Sequence, residues 1–214
     1  IESDELGRAK INYDKCVSCG MCLVNCPFAA IADKSQIFQV INAMNRGSKV
    51  IACVAPAFVG QFGKAATPAK LKAAMRILGF DDVVEVAIGA DLCTVEEAKD
   101  FLAEVPEKLP FMGTSCCPAW VKFVETYYPE FKENLSTSKS PIGMQGPTIK
   151  TYFARKMGID PKKIVNVAVT PCTAKKYEIR RQEMKAAVEY LGEDDMRDMD
   201  YVITTRELAH WARM

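Results

Sequence analysis

The sequence contains no run of about 18 apolar residues, the length that a membrane-spanning helix needs, so we expect no membrane partner. It also has almost no net charge, because 28 basic side chains are balanced by 27 acidic ones. Such a balance gives no long-range field to attract nucleic acid or anionic lipid. Histidine occurs once, as His210 near the end of the chain, where we expect a surface residue rather than a metal ligand.

A secreted disulfide framework is also a poor interpretation. The nine cysteines are an odd number, and four of them lie within eleven residues. This crowding favours metal ligation in a reducing compartment, so we expect the cytoplasm. No leader of charged and then apolar residues begins the chain, although its first residue is Ile1 and its end at Met214 reads as an unterminated helix. We expect that both ends are cut.

The crowded cysteines are Cys16, Cys19, Cys22 and Cys26, followed by Pro27. The spacing Cys-x2-Cys-x2-Cys-x3-Cys-Pro is typical of bacterial ferredoxins and predicts a [4Fe–4S] cluster. A zinc site is the alternative, but zinc sites usually have two separated pairs of ligands. A second question concerns Cys26, which ligates the other cluster where two such motifs pair. One cluster held by all four cysteines is the simpler interpretation.

The rest of the chain alternates between strand-like and helix-like stretches, which predicts an α/β fold with a parallel sheet flanked by helices. We expect two parts, a small ferredoxin-like segment at 1–35 and the α/β domain at 36–214. The predicted strands are 49–55, 83–88, 109–112, 163–169 and 201–204, and the predicted helices are 68–78, 94–105, 118–128, 141–157, one from about 174 and one after 204.

Two further motifs carry candidate chemistry. The first is Thr114-Ser-Cys-Cys-Pro-Ala-Trp120, in which Cys116 and Cys117 precede a helix whose N-terminus favours thiolate. The second is Thr170-Pro-Cys-Thr-Ala-Lys-Lys176, which places Cys172 just after a predicted strand. Ligands bind at the carboxyl ends of strands in open α/β sheets, so three thiols and Lys175 could converge there. Unconnected loop cysteines remain the alternative.

At these residues the sequence resembles the iron-only, or [FeFe], hydrogenases. The two motifs are similar to the first and second active-site signatures of that family, and the ferredoxin-type run precedes them as it does in the family. The resemblance implies an H-cluster, which is a [4Fe–4S] cubane joined to a di-iron unit with CO, cyanide and dithiolate ligands. It further implies that Cys117 and Cys172 ligate the cubane, that Cys116 passes protons, and that Lys175 donates to a cyanide.

The resemblance also implies a proton path of two acids and a serine. Glu97 and Asp100 are similar to the acids, and Ser136 is similar to the serine. Glu97 and Asp100 are three residues apart on a predicted helix, so they share a face. An ordinary solvated helix surface is the alternative interpretation.

The sequence departs from the family pattern in several places. Pro56, a predicted cofactor contact, is followed by Ala57 where many members have a serine, and Thr170 and Ala119 replace a common methionine and glycine. No cysteine follows Cys172, so the resemblance implies that this chain cannot complete an H-cluster alone. The last two ligands would come either from the remaining C-terminal part of the same protein, which we favour, or from a second chain.

The function implied is the reversible reduction of protons to dihydrogen, with electrons from a ferredoxin or a similar carrier. A hydrogen or redox sensor, or an iron–sulfur assembly factor, would keep the cubanes and lack the di-iron unit. A plain electron-transfer subunit would leave Cys117 and Cys172 unexplained.

Overall fold

The computed structural model describes residues 1–214. The strands are β1 (Glu2–Ser3), β2 (Ala9–Lys10), β3 (Lys49–Val54), β4 (Asp82–Glu85), β5 (Ile164–Thr170) and β6 (Tyr201–Thr204). The helices are α1 (Met21–Val24), α2 (Ile37–Asn45), α3 (Pro68–Ile77), α4 (Ala87–Glu104), α5 (Pro118–Tyr127), α6 (Pro141–Thr148), α7 (Ala154–Met157), α8 (Lys175–Glu178), α9 (Ala186–Leu191) and α10 (Thr205–Trp211).

Four parallel strands form the central sheet in the order β4-β3-β5-β6, which confirms the predicted fold class. Alternate residues of β3 enter two separate cores. Val50 and Ala52 pack into the core on one face, whereas Ile51 and Cys53 pack into the core on the other. Because both faces are covered, the central strands read as continuous apolar runs rather than as alternating ones.

The helices begin where the sequence provides caps. The Thr67 side chain caps α3, and the Ser140 side chain caps α6, each before a proline in the first turn. Thr204 and Glu207 form a reciprocal capping box at the start of α10. The predicted bounds of α3 and α5 are therefore confirmed to within one residue.

The strand predicted at 83–88 is present as β4, but its predicted end and the predicted helix start at Thr94 are wrong. β4 ends at Glu85, and α4 begins at Ala87, so Cys93 lies inside this helix rather than at its start. Gly89 reads as a helix breaker in the sequence, but here it allows close packing. A Cβ atom at Gly89 would collide with the Pro141 carbonyl at the start of α6.

The predicted strand at 109–112 is also wrong. The Leu109 N–H donates to the Glu104 carbonyl, which extends the turn after α4, and only Gly113 makes a bridge, to Leu135. Farther on, the helix expected from about residue 174 is a single turn, α8.

The predicted helix at 141–157 is continuous but changes its winding. A π-helical stretch at Ile149–Phe153 connects α6 and α7. It follows Pro147, which has no N–H to donate to the helix. The Thr151 hydroxyl donates to the Pro147 carbonyl at 2.7 Å. This wider turn contains Lys150, which is fully buried and 2.8 Å from Asp200.

The first 35 residues contain no buried residue, and β1 and β2 form a small antiparallel pair there. The boundary near residue 35 remains a prediction. His210 is exposed on α10, as expected. None of the helices in residues 1–214 combines the length and the apolar character needed to cross a bilayer.

Candidate metal centre

The four N-terminal cysteines lie on a tight loop around the short helix α1. Cys22 is in this helix, and Gly20, just before it, has a left-handed backbone with φ of 77°. Ser18 is also left-handed, with φ of 58°. These turns reverse the chain between successive cysteines and hold the loop compact.

Backbone amides point at two of the cysteine sulfurs. The Ser18 N–H donates to Cys16 Sγ, and the Ala30 N–H donates to Cys26 Sγ, both at 3.4 Å. Donation from Ala30, and after it from Phe28, holds the pKa of the Cys26 thiol below its ordinary value of 9.0. Amides around thiolate sulfurs suit an iron–sulfur cluster, whose potential depends on such hydrogen bonds.

The donor set of the loop is four thiols, which is the set that a [4Fe–4S] cubane takes. No three cysteine, histidine or acidic side chains in residues 1–214 lie close enough together to hold one metal ion. A [4Fe–4S] cluster instead takes one thiolate on each iron, so its ligand sulfurs stand farther apart than those of zinc. The predicted ligands Cys16, Cys19, Cys22 and Cys26 thus fit the predicted cluster by residue type and by spacing.

The cluster loop lies directly against the loop that carries Cys172. The backbone of Gly20 approaches the Thr173 side chain so closely that a Cβ atom on Gly20 would collide with Thr173 Oγ1. A cavity of about 340 Å³ lies between the two loops and is lined by Cys19 and Cys172. The two predicted cluster sites are therefore neighbours in the fold.

The two later cysteine motifs meet through Lys175. Its ammonium donates to the Cys116 carbonyl at 2.8 Å, which joins the loop before α5 to the loop after β5. Cys117 occupies the N-cap position of α5, and Cys172 lies two residues after β5 ends. The structure therefore brings Lys175 and the Cys116–Cys117 pair together. Which of the cysteines ligate a cluster stays a prediction.

Lys175 is paired with a buried acid. Its Nζ lies 3.0 and 2.9 Å from the two carboxylate oxygens of Glu178, one helical turn away. Both residues are buried, with Lys175 at 9% exposure and Glu178 at 3%. Sequence reasoning did not identify Glu178, although its i, i+3 spacing from Lys175 on a helix is a signal for this pair.

Two of the predicted proton-path residues, Asp100 and Ser136, are joined through Ser138. The Ser138 hydroxyl donates to Asp100 at 3.4 Å, and the Ser138 N–H donates to Ser136 Oγ at 3.2 Å. Ser136 is buried, and Glu97 Oε1 is buried without a hydrogen-bond partner. Ser138, which sequence reasoning missed, thus links the predicted serine to the predicted outer acid. Its only sequence signal is its place two residues after Ser136 on the same loop.

Cys93 lies on the same helix as the predicted acids, one turn before Glu97. Burial raises the pKa of the Cys93 thiol, and the negative charges of Glu97 and Cys116 raise it further. Cys93 itself is buried within α4.

Pro56 follows β3 at the sheet edge that also carries Cys172. The Ala55 N–H donates to the Val169 carbonyl at 2.9 Å, which aligns the ends of β3 and β5. Pro56 is exposed at this edge, as a cofactor contact requires, and its role remains a prediction.

Comparisons with known proteins agree with this arrangement. The family described as "Iron only hydrogenase large subunit, C-terminal domain" matches residues 48–214, and a "4Fe-4S binding domain" matches residues 8–31. These matches confirm the cofactor classes expected from the sequence, a [4Fe–4S] cluster and the H-cluster of the hydrogenase domain.

Several known proteins are similar to the chain. Iron hydrogenase 1 of Clostridium pasteurianum is 43% identical over 86% of this chain and 32% of that protein. The periplasmic [Fe] hydrogenase large subunit of Nitratidesulfovibrio vulgaris is 41% identical over 98% of this chain and 58% of that protein. The cytosolic Fe-S cluster assembly factor NAR1 of Sclerotinia sclerotiorum is 41% identical over 60% of this chain and 23% of that protein.

The solved structure of an apo [FeFe]-hydrogenase HydA1 from Chlamydomonas reinhardtii superposes with a TM-score of 0.72 at 33% identity. The superposition covers 85% of this chain and 50% of that one. The chain spans between 32% and 58% of the length of the two hydrogenases compared by sequence.

Proposed function

The chain belongs to the iron-only hydrogenase family, and we propose that it forms part of an enzyme that interconverts protons, electrons and dihydrogen. The observation that carries this proposal is the contact between Lys175 and the Cys116 backbone, 2.8 Å long. Neither the Lys175 side chain nor the Cys116 side chain is one of the cubane ligands implied by the resemblance. Their placement together is expected where a second metal unit requires a hydrogen-bond donor and a proton carrier.

In this proposal each residue has a distinct task. Cys16, Cys19, Cys22 and Cys26 would hold the N-terminal [4Fe–4S] cluster, and Cys117 and Cys172 would hold the cubane of the H-cluster. When bound, the H-cluster supplies the iron chemistry that forms and splits the H–H bond. The protein orients this group, excludes water and sets its hydrogen bonds.

Lys175 and Cys116 would act on the second metal unit. The Lys175 ammonium, held at 3.0 Å by Glu178, would donate to an anionic ligand in a site with little water. The Cys116 thiol would take up and release the proton at its Sγ atom, as a general acid and base. Glu97, Ser136, Ser138 and Asp100 would carry this proton to and from the surface of α4.

The remaining requirements lie outside the chain. The last cubane ligands would come from the C-terminal part of the same protein, so this chain alone is not expected to be active. Electrons would come from a ferredoxin or a similar small carrier. We propose a cytoplasmic location, although one relative is described as periplasmic.

A second candidate is an iron–sulfur assembly role. It is favoured by the 41% identity to NAR1, an assembly factor by name, over 133 residues. The replacement of the expected serine by Ala57 also removes one donor that a di-iron unit would use. This candidate predicts cubane iron with no di-iron unit.

Infrared spectra of the full-length protein, matured in an anaerobic host, would separate the two candidates. CO and cyanide stretching bands together with hydrogen evolution are expected for the hydrogenase. Cubane iron without these bands would contradict the catalytic proposal and favour the assembly role.

The two adjacent cysteines provide a matched pair of variants. We expect Cys116→Ala to keep the infrared bands and to lower hydrogen evolution by about 100-fold or more, because it removes the proton carrier. We expect Cys117→Ala to lose cluster iron as well as activity. Equal iron loss in both variants would contradict the different tasks assigned to them.

A further inference from the structure

The first 35 residues have no apolar core, yet they lie against the main domain. None of these residues is buried, so hydrophobic packing alone cannot hold them. Side-chain hydrogen bonds and ion pairs join these residues to the main domain. The Tyr127 hydroxyl donates to the Lys15 carbonyl at 3.0 Å, and Lys122 Nζ donates to the Tyr13 carbonyl at 3.4 Å.

A stronger tether is formed by Lys176. Its Nζ lies 2.6 Å from Asp33 Oδ2, 2.9 Å from the Lys34 carbonyl and 2.9 Å from Glu207 Oε1. All three donors of the ammonium are therefore used. The Lys176 and Glu207 side chains are only 12% and 10% exposed, so solvent weakens this ion pair little. We call these four residues the Lys176 clamp.

The main-domain side of the Lys176 clamp is rigid. Glu207 Oε2 accepts from the Thr204 N–H at 2.6 Å, and the Glu207 N–H donates to Thr204 Oγ1 at 3.1 Å. The same carboxylate thus caps α10 with one oxygen and holds Lys176 with the other. Lys176 itself belongs to α8, which begins three residues after Cys172.

We propose that Lys176 is a positioning residue that fixes the N-terminal cluster loop against the Cys172 loop. The clamp holds the end of the segment at Asp33 and Lys34, and the close contact of Gly20 with Thr173 sets the spacing between the two loops. Removing the ammonium leaves two carboxylates, those of Asp33 and Glu207, facing each other without a cation. Their repulsion would push the segment away from the main domain.

The consequence for electron transfer rests on the proposed function. Electron tunnelling between two clusters weakens steeply with their separation, so a residue that fixes the loops also fixes the rate. Lys176 would therefore control electron entry without touching either cluster. The docking itself concerns only the residues of this chain and does not depend on catalysis.

Hydrogen exchange on the 214-residue chain, reconstituted with iron and sulfide, tests the docking. We expect Lys176→Met to raise amide exchange in residues 8–34 on the order of tenfold or more, with β3 and β5 unchanged. Lys176→Arg should restore most of the protection, since it keeps the charge. Lys176→Met combined with Asp33→Asn should recover part of it, because the repulsion is removed.

Lys162→Met is the matched control. Lys162 is paired with Glu193 on the surface far along the chain from the segment, and its loss should leave exchange in 8–34 unchanged. Exchange in 8–34 that is as fast in the unaltered chain as in Lys176→Met would overturn the proposal. So would a Lys176→Met chain with full protection.

A spectroscopic measurement on the full-length protein tests the spacing. We expect faster spin relaxation of the reduced N-terminal cluster when a second paramagnetic cluster is near, and a loss of this enhancement in Lys176→Met. An unchanged enhancement in that variant would overturn the positioning role. A protein with no second cluster would count against the proposed function, and the exchange experiment would still decide the docking.

Discussion

The cluster segment at 1–35 and the main domain at 36–214 are stabilised by different physics. All 48 buried residues lie at position 36 or later, around a parallel sheet with two apolar cores. The segment has none, and it depends on backbone turns, polar tethers and the predicted metal ligands. The comparison teaches that one chain can combine a part that folds by burying apolar surface with a part that has no buried residue, for which we expect ligation and docking to supply the stability.

Cysteine reactivity should differ most between the two parts. In the segment, amide donation from Ala30 and Phe28 lowers the pKa of Cys26, so its thiolate forms at lower pH than that of an ordinary cysteine. In β3, burial raises the pKa of Cys53 to about 12. At pH 8 a thiol of that pKa is ionised in about 1 molecule in 10,000, and it is also enclosed.

We therefore expect iodoacetamide to alkylate Cys26 at least about a thousandfold faster than Cys53 in the reduced, iron-free chain. Mass spectrometry of the labelled peptides at pH 6 to 9 would measure both rates. In urea the two rates should become similar, which is the control for reagent access. Rapid labelling of Cys53 in the native chain would contradict the closed core described here.

The next largest expected difference between the two parts is in how much stability is lost when the cation of an ion pair is removed. Lys150 is 1% exposed and 2.8 Å from Asp200, so replacing it with methionine leaves a buried carboxylate without its cation. We expect Lys150→Met to lower the free energy of unfolding by about 3–5 kcal/mol in urea titrations. Arg8, paired at 2.8 Å with Asp4 in the segment, is exposed, and Arg8→Met should leave this free energy unchanged.

The pH dependence of the stability loss in Lys150→Met tests whether the unpaired Asp200 carboxylate causes that loss. Burial, which outweighs the attraction of Lys150, raises the pKa of Asp200 above its ordinary value of 3.8. A carboxyl with a raised pKa binds its proton more tightly in the folded chain, so its contribution to stability falls as pH rises from 3.8 through the folded value. Losing Lys150 raises that pKa further. The defect of Lys150→Met should therefore be smaller at acidic pH, and an equal defect at every pH would contradict this explanation.

Replacing a buried and an exposed isoleucine with alanine separates the effect of burial on stability from the effect of residue type. Ile51 is fully buried in β3, and Ile51→Ala should lower the free energy of unfolding by about 2–5 kcal/mol. Ile77, at the end of α3, is 86% exposed, and Ile77→Ala should change the free energy of unfolding by less than about 0.5 kcal/mol. Similar losses in both variants would show that the core assignment is wrong.

Local signals in the sequence were enough for much of the main domain. The apolar run at 49–55 predicted β3, and the helix predicted at 68–78 is α3, which begins at Pro68. Both predictions used signals within a few residues of the element they define. Cys16 to Cys26 likewise specified a cluster loop from spacing alone, and the 4Fe-4S family match at 8–31 agrees with it.

Several of the errors and omissions concern contacts that are distant in sequence, whereas the wrong strand at 109–112 concerns a local turn in which the Leu109 N–H donates to the Glu104 carbonyl. The helix α4 begins at Ala87 rather than at the predicted Thr94, and the contact that requires Gly89 within it is with Pro141, which is distant in sequence. Ser138 was missed because its partner Asp100 lies 38 residues away in sequence. Glu178 was missed although its i, i+3 spacing from Lys175 was readable in the sequence. Lys176 was likewise a plain basic residue until Asp33 and Glu207 were seen beside it.

The smallest predicted effect on the free energy of unfolding concerns Thr204, a main-domain residue that is connected to the segment through Glu207 and Lys176. Thr204→Ala removes the hydroxyl that accepts from the Glu207 N–H and caps α10, which should cost about 1 kcal/mol. It also loosens the first turn of α10, from which the Glu207 carboxylate reaches Lys176, although the backbone N–H of residue 204 still donates to that carboxylate. Thr67→Ala removes the cap of α3, which has no recorded contact with the segment, and should cost a similar amount. Urea titration should therefore fail to distinguish the two variants, while hydrogen exchange in residues 8–34 should rise only in Thr204→Ala. A rise in both would mean that the segment responds to the general stability of the main domain rather than to the Lys176 clamp.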